Sequence, residues 1–262
     1  MKIDLRGEIA LVTGGTKNIG KETGRLLVEG GARVVCCYQD DEATAAESVN
    51  ELAAAGGKVT AAKVDLGNVE AIRALVKEIE SAHGFVSILV NNAAMRPRRK
   101  IADVEQSEWD RVHAVNLRAP FFLSQAVLPG MRERGWGRIV NVSGADAYHG
   151  DNQRAHVTAS KLGIVGLMRA LALETALWGV TVNSVVPGYI GTKRDHPEWY
   201  PDMAATDEER LARIPVGRVG TPLEVANAIT FLCSREASYI TGHDLVVTGG
   251  YFPLTRQPWY EY

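Results

Sequence analysis

Short apolar runs alternate along the chain with longer stretches of mixed polarity. Ile9–Thr13, Arg33–Tyr38, Val59–Val64, Ile88–Asn91, Ile139–Val142, Val180–Val186 and Leu245–Val247 are aliphatic or β-branched at most positions, not at every second one. A half-solvated strand would alternate, so these runs predict strands covered on both faces, as in a parallel sheet. Between them, Glu42–Ala55, Val69–His83, Ser107–Arg134, Val157–Leu177 and Pro222–Ser234 carry apolar residues at helical spacing. The alternation predicts an α/β chain: a Rossmann-type, doubly wound parallel sheet of about seven strands with helices on both faces.

No repeat or linker divides the 262 residues, which read as one domain. The least patterned stretch, 189–215, is polar with several prolines, and long unpatterned segments often serve a site, so it is expected to be a substrate lid. A formal net charge of −2 gives no electrostatic case for nucleic acid. The start of the chain lacks a signal-like apolar run and no stretch is long enough to span a bilayer, so a cytoplasmic protein is expected. Cys36, Cys37 and Cys233 have no metal-ligand spacing and read as buried free thiols; no metal site is expected.

The first strand runs into Thr13-Gly14-Gly15-Thr16-Lys17-Asn18-Ile19-Gly20. A glycine-rich turn between a first strand and a helix lets backbone amides approach a pyrophosphate, which the helix N-terminus then favours. Further along stand Asp65-Leu66, Asn91-Asn92-Ala93-Ala94, Asn116, Lys161, Pro187-Gly188 and, near the end, Thr248-Gly249-Gly250. In order and spacing these motifs resemble the short-chain dehydrogenase/reductase family over about residues 5 to 251. Asn18 stands where the family has a glycine, and asparagine tolerates the positive φ such a turn needs. The resemblance implies a cofactor site of Gly14, Thr16, Lys17, Asn18, Ile19, Gly20, Tyr38, Asp65, Leu66, Asn92, Ala93, Lys161, Pro187, Gly188, Ile190 and Thr192. Tyr38 closes the second strand where an acidic residue would select NAD, and Lys17 stands where a base would meet a 2′-phosphate, so NADP is favoured over NAD.

The family handles a carbonyl with Asn, Ser, Tyr and Lys. Asn116 and Lys161 match two of them, but the tyrosine position, four before the lysine, is Val157, and the serine position is Gly144. Ser143 is one residue off, and on a strand that shift turns a side chain to the other face. Candidate replacements for the proton donor are Tyr148, in the loop after the fifth strand, and His156, with Tyr189 third. His156 lies about 140° around a helix from Lys161, off its face. Arg154 would share the lysine face if the helix reached it, but two turns away, and an arginine is a poor acid. The catalytic set is therefore Lys161, Asn116, Tyr148 and His156.

Four cations fall within positions 96–100 (Arg96, Arg98, Arg99 and Lys100), in a loop expected at the ligand crevice, and suggest an anionic substrate. Leu162, Val165, Met168 and Leu171 recur at helical period, and relatives pair this helix across a two-fold axis, so a homotetramer or homodimer is implied. The leading expectation is an NADP-dependent oxidoreductase with a non-standard proton donor, acting on a C=O, C=C or C=N bond of a small molecule. Two alternatives stay open: a non-redox enzyme (lyase, dehydratase, isomerase or cyclase) on the same scaffold, or a cofactor-binding protein without catalysis.

Overall fold

A computed structural model describes residues 3–54, 56–193, 199, 209 and 211–254. Seven parallel strands form one sheet: β1 (Ile9–Thr13), β2 (Arg33–Tyr38), β3 (Lys58–Lys63), β4 (Ile88–Asn91), β5 (Gly137–Val142), β6 (Val180–Pro187) and β7 (Asp244–Val247). They are ordered β3-β2-β1-β4-β5-β6-β7. Strand order reverses between β1 and β4, so the loops at their carboxyl ends splay apart and leave a crevice. Leu11 is in register with Val35 on one side and Leu89 on the other. The unbroken apolar runs have the predicted consequence: Leu11 packs into a core on one face with Ile139, Val182 and Met168, while Val12 packs on the other with Val140, Val185 and Ile229.

The helices are α1 (Asn18–Glu29), α2 (Glu42–Ala54), α3 (Val69–His83), α4 (Gln106–His113), α5 (Ala119–Arg134), the short α6 (Asp146–His149), α7 (Ala155–Thr175) and α8 (Pro222–Leu232). The single helix expected over Ser107–Arg134 is two, joined by one wide π turn at Ala114–Arg118. The backbone stays helical through the turn and no glycine or proline lies within Ala114–Arg118, so no breaker marks it in the sequence. Helix α7 starts at Ala155, two residues before its expected start. Val165, Met168 and Leu171 are buried in this chain's own core, which corrects their reading as an assembly stripe; Leu162, Leu173 and Leu177 are exposed. A helical period cannot tell which partner a stripe meets.

At the opposite end of the sheet from the crevice, the buried Glu8 accepts a hydrogen bond from Ser87 Oγ at 2.8 Å and pairs with Arg134 at 3.0 Å and Arg235 at 2.9 Å. The three cysteines are buried free thiols, and burial pushes Cys36 and Cys233 up to about 12. Among the described residues no helix is long and apolar enough to cross a membrane, and no group of three or more His, Cys, Asp or Glu could hold a metal ion. Most of the 189–215 stretch lies outside the described residues.

Candidate active site

The turn from β1 to α1 is stapled to the end of β4. Thr13 Oγ1 accepts hydrogen bonds from the backbone amides of Asn92 and Ala93, both at 3.0 Å, and Asn92 Nδ2 donates to the carbonyls of Thr13 and Gly14. A β-carbon on Gly20 would stand 2.0 Å from the Gly14 carbonyl oxygen, so only glycine lets the helix start so close to the turn. Asn18 has φ +48°, the positive angle expected of it. Its side chain also does something the sequence does not announce. Nδ2 donates to the Lys193 carbonyl and Oδ1 accepts from the Lys193 amide, both at 3.0 Å, tying the turn to the segment after β6.

These elements border a cleft of about 700 Å³ whose lining includes Gly14, Thr16, Asn18, Tyr38, Leu66, Asn92, Met95, Arg96 and Thr192. A cradle that β-carbons would fill, at the N-terminus of a twelve-residue helix, suits a pyrophosphate. At the far end, Lys17 pairs with Asp41 at 2.7 Å. That contact, with two hydrogen bonds from Thr44, holds the Asp41 carboxyl well below the usual carboxylate range. Arg111 contacts Asp65 at 2.8 Å and Gln39 at 3.4 Å, bridging the ends of β2 and β3. Nothing in the sequence pointed to Arg111, because it arrives from α4. Beyond β6, Gly188 donates to Val247, Pro187 accepts from Ala145, and Ile190 forms an isolated bridge with Gly220.

Asn116, Gly144, Val157 and Lys161, the positions matched to the family's four, are buried and are not among the residues that line the cleft. Lys161 is buried, and Nζ donates to the carbonyl of Val142, the last residue of β5, at 2.6 Å. Burial, reinforced by Arg96 and opposed by Asp146, pushes the ammonium down to about 8. Asn116, in the π turn, brackets Met95: Oδ1 accepts from its amide at 2.8 Å and Nδ2 donates to its carbonyl at 2.9 Å, and Nδ2 also reaches Ser160 Oγ. Asn116 thus fixes the loop after β4 against α7. Val157 is fully buried one turn before Lys161. Ser143 Oγ donates to the Lys161 carbonyl at 3.2 Å, so it is occupied with the helix backbone.

The remaining candidates point elsewhere. The Tyr148 ring stacks on Phe252 at 5.0 Å. Burial foremost, then the Asp244 carboxylate its hydroxyl faces, raises its pKa. His156 is fully buried with Nε2 3.3 Å from Glu108 of α4, off the lysine face as the helical angle predicts, and burial lowers its pKa. Among the contacts of the described residues, neither meets Lys161 or Asn116. Tyr189 lies with its hydroxyl 3.4 Å from that of Tyr251.

An ionic network ties the loop after β4 to the segment after β5. Asp146 Oδ2 contacts Arg96 at 3.1 Å and Arg154 at 3.2 Å; Asp151 Oδ2 contacts Arg98 at 2.8 Å and Arg154 at 3.3 Å. The arginines hold the Asp146 carboxyl below its ordinary value although burial opposes them. Arg99 pairs with Glu108, outside this network.

The chain is similar to known proteins over nearly its whole length. A family model described as enoyl-(acyl carrier protein) reductase matches residues 14–252. The 3-oxoacyl-(acyl-carrier-protein) reductase FabG of Vibrio cholerae is 39% identical over 257 residues, 96% of this chain and all of that protein. The (2S)-((R)-hydroxy(phenyl)methyl)succinyl-CoA dehydrogenase subunit BbsD of Thauera aromatica is 37% identical, over 94% of this chain and 97% of that one. A crystal structure from Agrobacterium tumefaciens, provisionally described as a gluconate dehydrogenase, superposes with a TM-score of 0.90 at 30% identity, covering 97% of this chain and 99% of that one.

Proposed function

This chain belongs to the short-chain dehydrogenase/reductase family and is an oxidoreductase of that kind; within it, we propose an NADP-dependent enzyme with a non-standard proton donor, acting on a C=O, C=C or C=N bond of a small anionic substrate. The observation that carries this reading is selective preservation. The glycine cradle with Asn92, and Asn116 and Lys161, are each held by their own hydrogen bonds, while Val157 and Gly144 stand where the family has both groups that would handle a substrate oxygen.

Bound in the cleft, NADP supplies or takes up a hydride. Gly14, Asn18 and Gly20 would hold its pyrophosphate at the start of α1, and Lys17, beside Tyr38, would meet the 2′-phosphate by exchanging its exposed contact with Asp41. Lys161, mostly ammonium at neutral pH with a pKa of about 8, holds a transferable proton where β5 ends. With no tyrosine between it and the substrate, that proton passes to the substrate directly or through a water held between Lys161 and the Asn116 turn. A conjugated alkene or an imine suits such a site, because its proton demand differs from that of a simple ketone.

Arg96 and Arg98 favour substrates bearing a carboxylate or phosphate. The relatives' names specify acyl groups on acyl carrier protein or CoA, and such phosphate-bearing thioesters meet the same requirement. The enzyme is proposed to work in the cytoplasm as a homotetramer or homodimer, through the face that exposes Leu162, Leu173 and Phe121. Fluorescence titration with NADPH and NADH tests the cofactor reading. NADPH should bind about tenfold or more tightly, and Lys17→Ala should erase the difference. Binding of neither nucleotide would refute it.

A further inference from the structure

The missing serine has left no hole. A β-carbon on Gly144 would stand 2.5 Å from Asp146 Oδ1, so the aspartate carboxylate occupies the volume a serine side chain would need. The same carboxylate is only 8% exposed and holds two guanidiniums by its other oxygen, at 3.1 Å from Arg96 and 3.2 Å from Arg154. Arg154 is the cap residue just before α7, the helix that carries Val157 and Lys161. It is 4% exposed, so its charge lies inside the protein and not in solvent. Arg96 comes from the loop after β4, lines the cofactor cleft, and keeps 45% of its side chain exposed.

We propose that Asp146, Arg154 and Arg96 form a substrate-anion clamp in place of the lost Ser–Tyr pair, with Asp146 and Arg154 as positioning residues and Arg96 as the group that receives a carboxylate. The proposal rests on the anionic-substrate reading above and specifies which residues deliver it. A guanidinium carries five N–H donors in a planar fork, so one arginine serves an aspartate and a second carboxylate at once. Asp146 fixes the plane of that fork, which lowers the ordering cost of binding. Gly144 is then a requirement of the clamp: any side chain there displaces Asp146.

The test is calorimetric titration of malonate, and of its neutral dimethyl ester, into the protein with and without NADPH. The full chain should bind malonate and not the ester. Arg96→Ala, Asp146→Ala and Gly144→Ala should each weaken malonate by about tenfold or more, whereas Gly144→Ala added to Asp146→Ala should cost nothing further, because the two act on one contact. NADPH affinity retained in the Gly144 and Asp146 variants shows that they fold. Malonate that fails to bind the parent, or that binds Gly144→Ala and Asp146→Ala as tightly as it binds the parent, overturns the clamp. Malonate held by Arg96 in a protein that binds no NADPH would support the clamp and sink the cofactor reading instead.

Discussion

The Lys161 ammonium donates to the Val142 carbonyl oxygen, the last of β5, at 2.6 Å. Burial is the main reason its pKa falls from 10.5 to about 8. If the ammonium is the proton source, reductive turnover falls as pH rises through about 8, and a pH–rate profile reads this directly. The folding linkage has the opposite sense. Between about 8 and 10.5 the unfolded chain binds the extra proton, so the native state gains stability with rising pH across that window, and below it the burial cost is complete. Lys161→Met should therefore abolish turnover yet raise the melting temperature at pH 7, as thermal unfolding would show.

Asn18 combines a backbone role with a side-chain role, and two substitutions separate them. Asn18→Gly keeps the φ of +48° but loses both bonds to Lys193; Asn18→Ala loses the bonds and adds strain of roughly 1 kcal/mol. NADPH affinity should fall for both and further for alanine. Equal affinity for all three proteins would show that the tie to Lys193 does not shape the cleft.

Restoring the family's residues should not restore the family's chemistry while Asp146 remains. Val157 is fully buried and the serine volume is filled. Val157→Tyr with Gly144→Ser is predicted to leave reduction of the neutral ketone ethyl acetoacetate no better than in the parent, and adding Asp146→Ala is predicted to raise it. A double variant as active as the triple one would contradict the filled-volume account.

The far end of the sheet tests stability apart from function. Glu8 is buried and gathers Ser87, Arg134 and Arg235. Glu8→Gln weakens three charge-assisted contacts, but both arginines are partly exposed, so the loss should be about 1–3 kcal/mol in denaturant unfolding. NADPH affinity should not change.

The strands were legible because burial on both faces demands continuous apolar runs, and β1, β2 and β4 fall where those runs do. The position of Asn18 and the direction of His156 followed from local backbone geometry alone. What could not be read depends on distant partners. Tyr148 turns toward Phe252 and Asp244, neither of which its own loop announces. Arg154 lies just outside α7, so the helical angle that would set it on the lysine face does not apply, and its partner Asp146 and the neighbouring Arg96 of another loop could not be read from its own segment. The π turn at Asn116 was invisible because no glycine or proline within it marks a break.

The central claim is that hydride chemistry survives without a tyrosine at position 157. It is tested most directly by incubating the protein with NADPH deuterated at its transferable position and a pool of carboxylate- or phosphate-bearing ketones, enoyl thioesters and imines, then following the label by mass spectrometry. The account predicts deuterium on carbon in at least one product, lost in Lys161→Met. NADPH bound by the protein with no deuterium transferred to any member of the pool would contradict it.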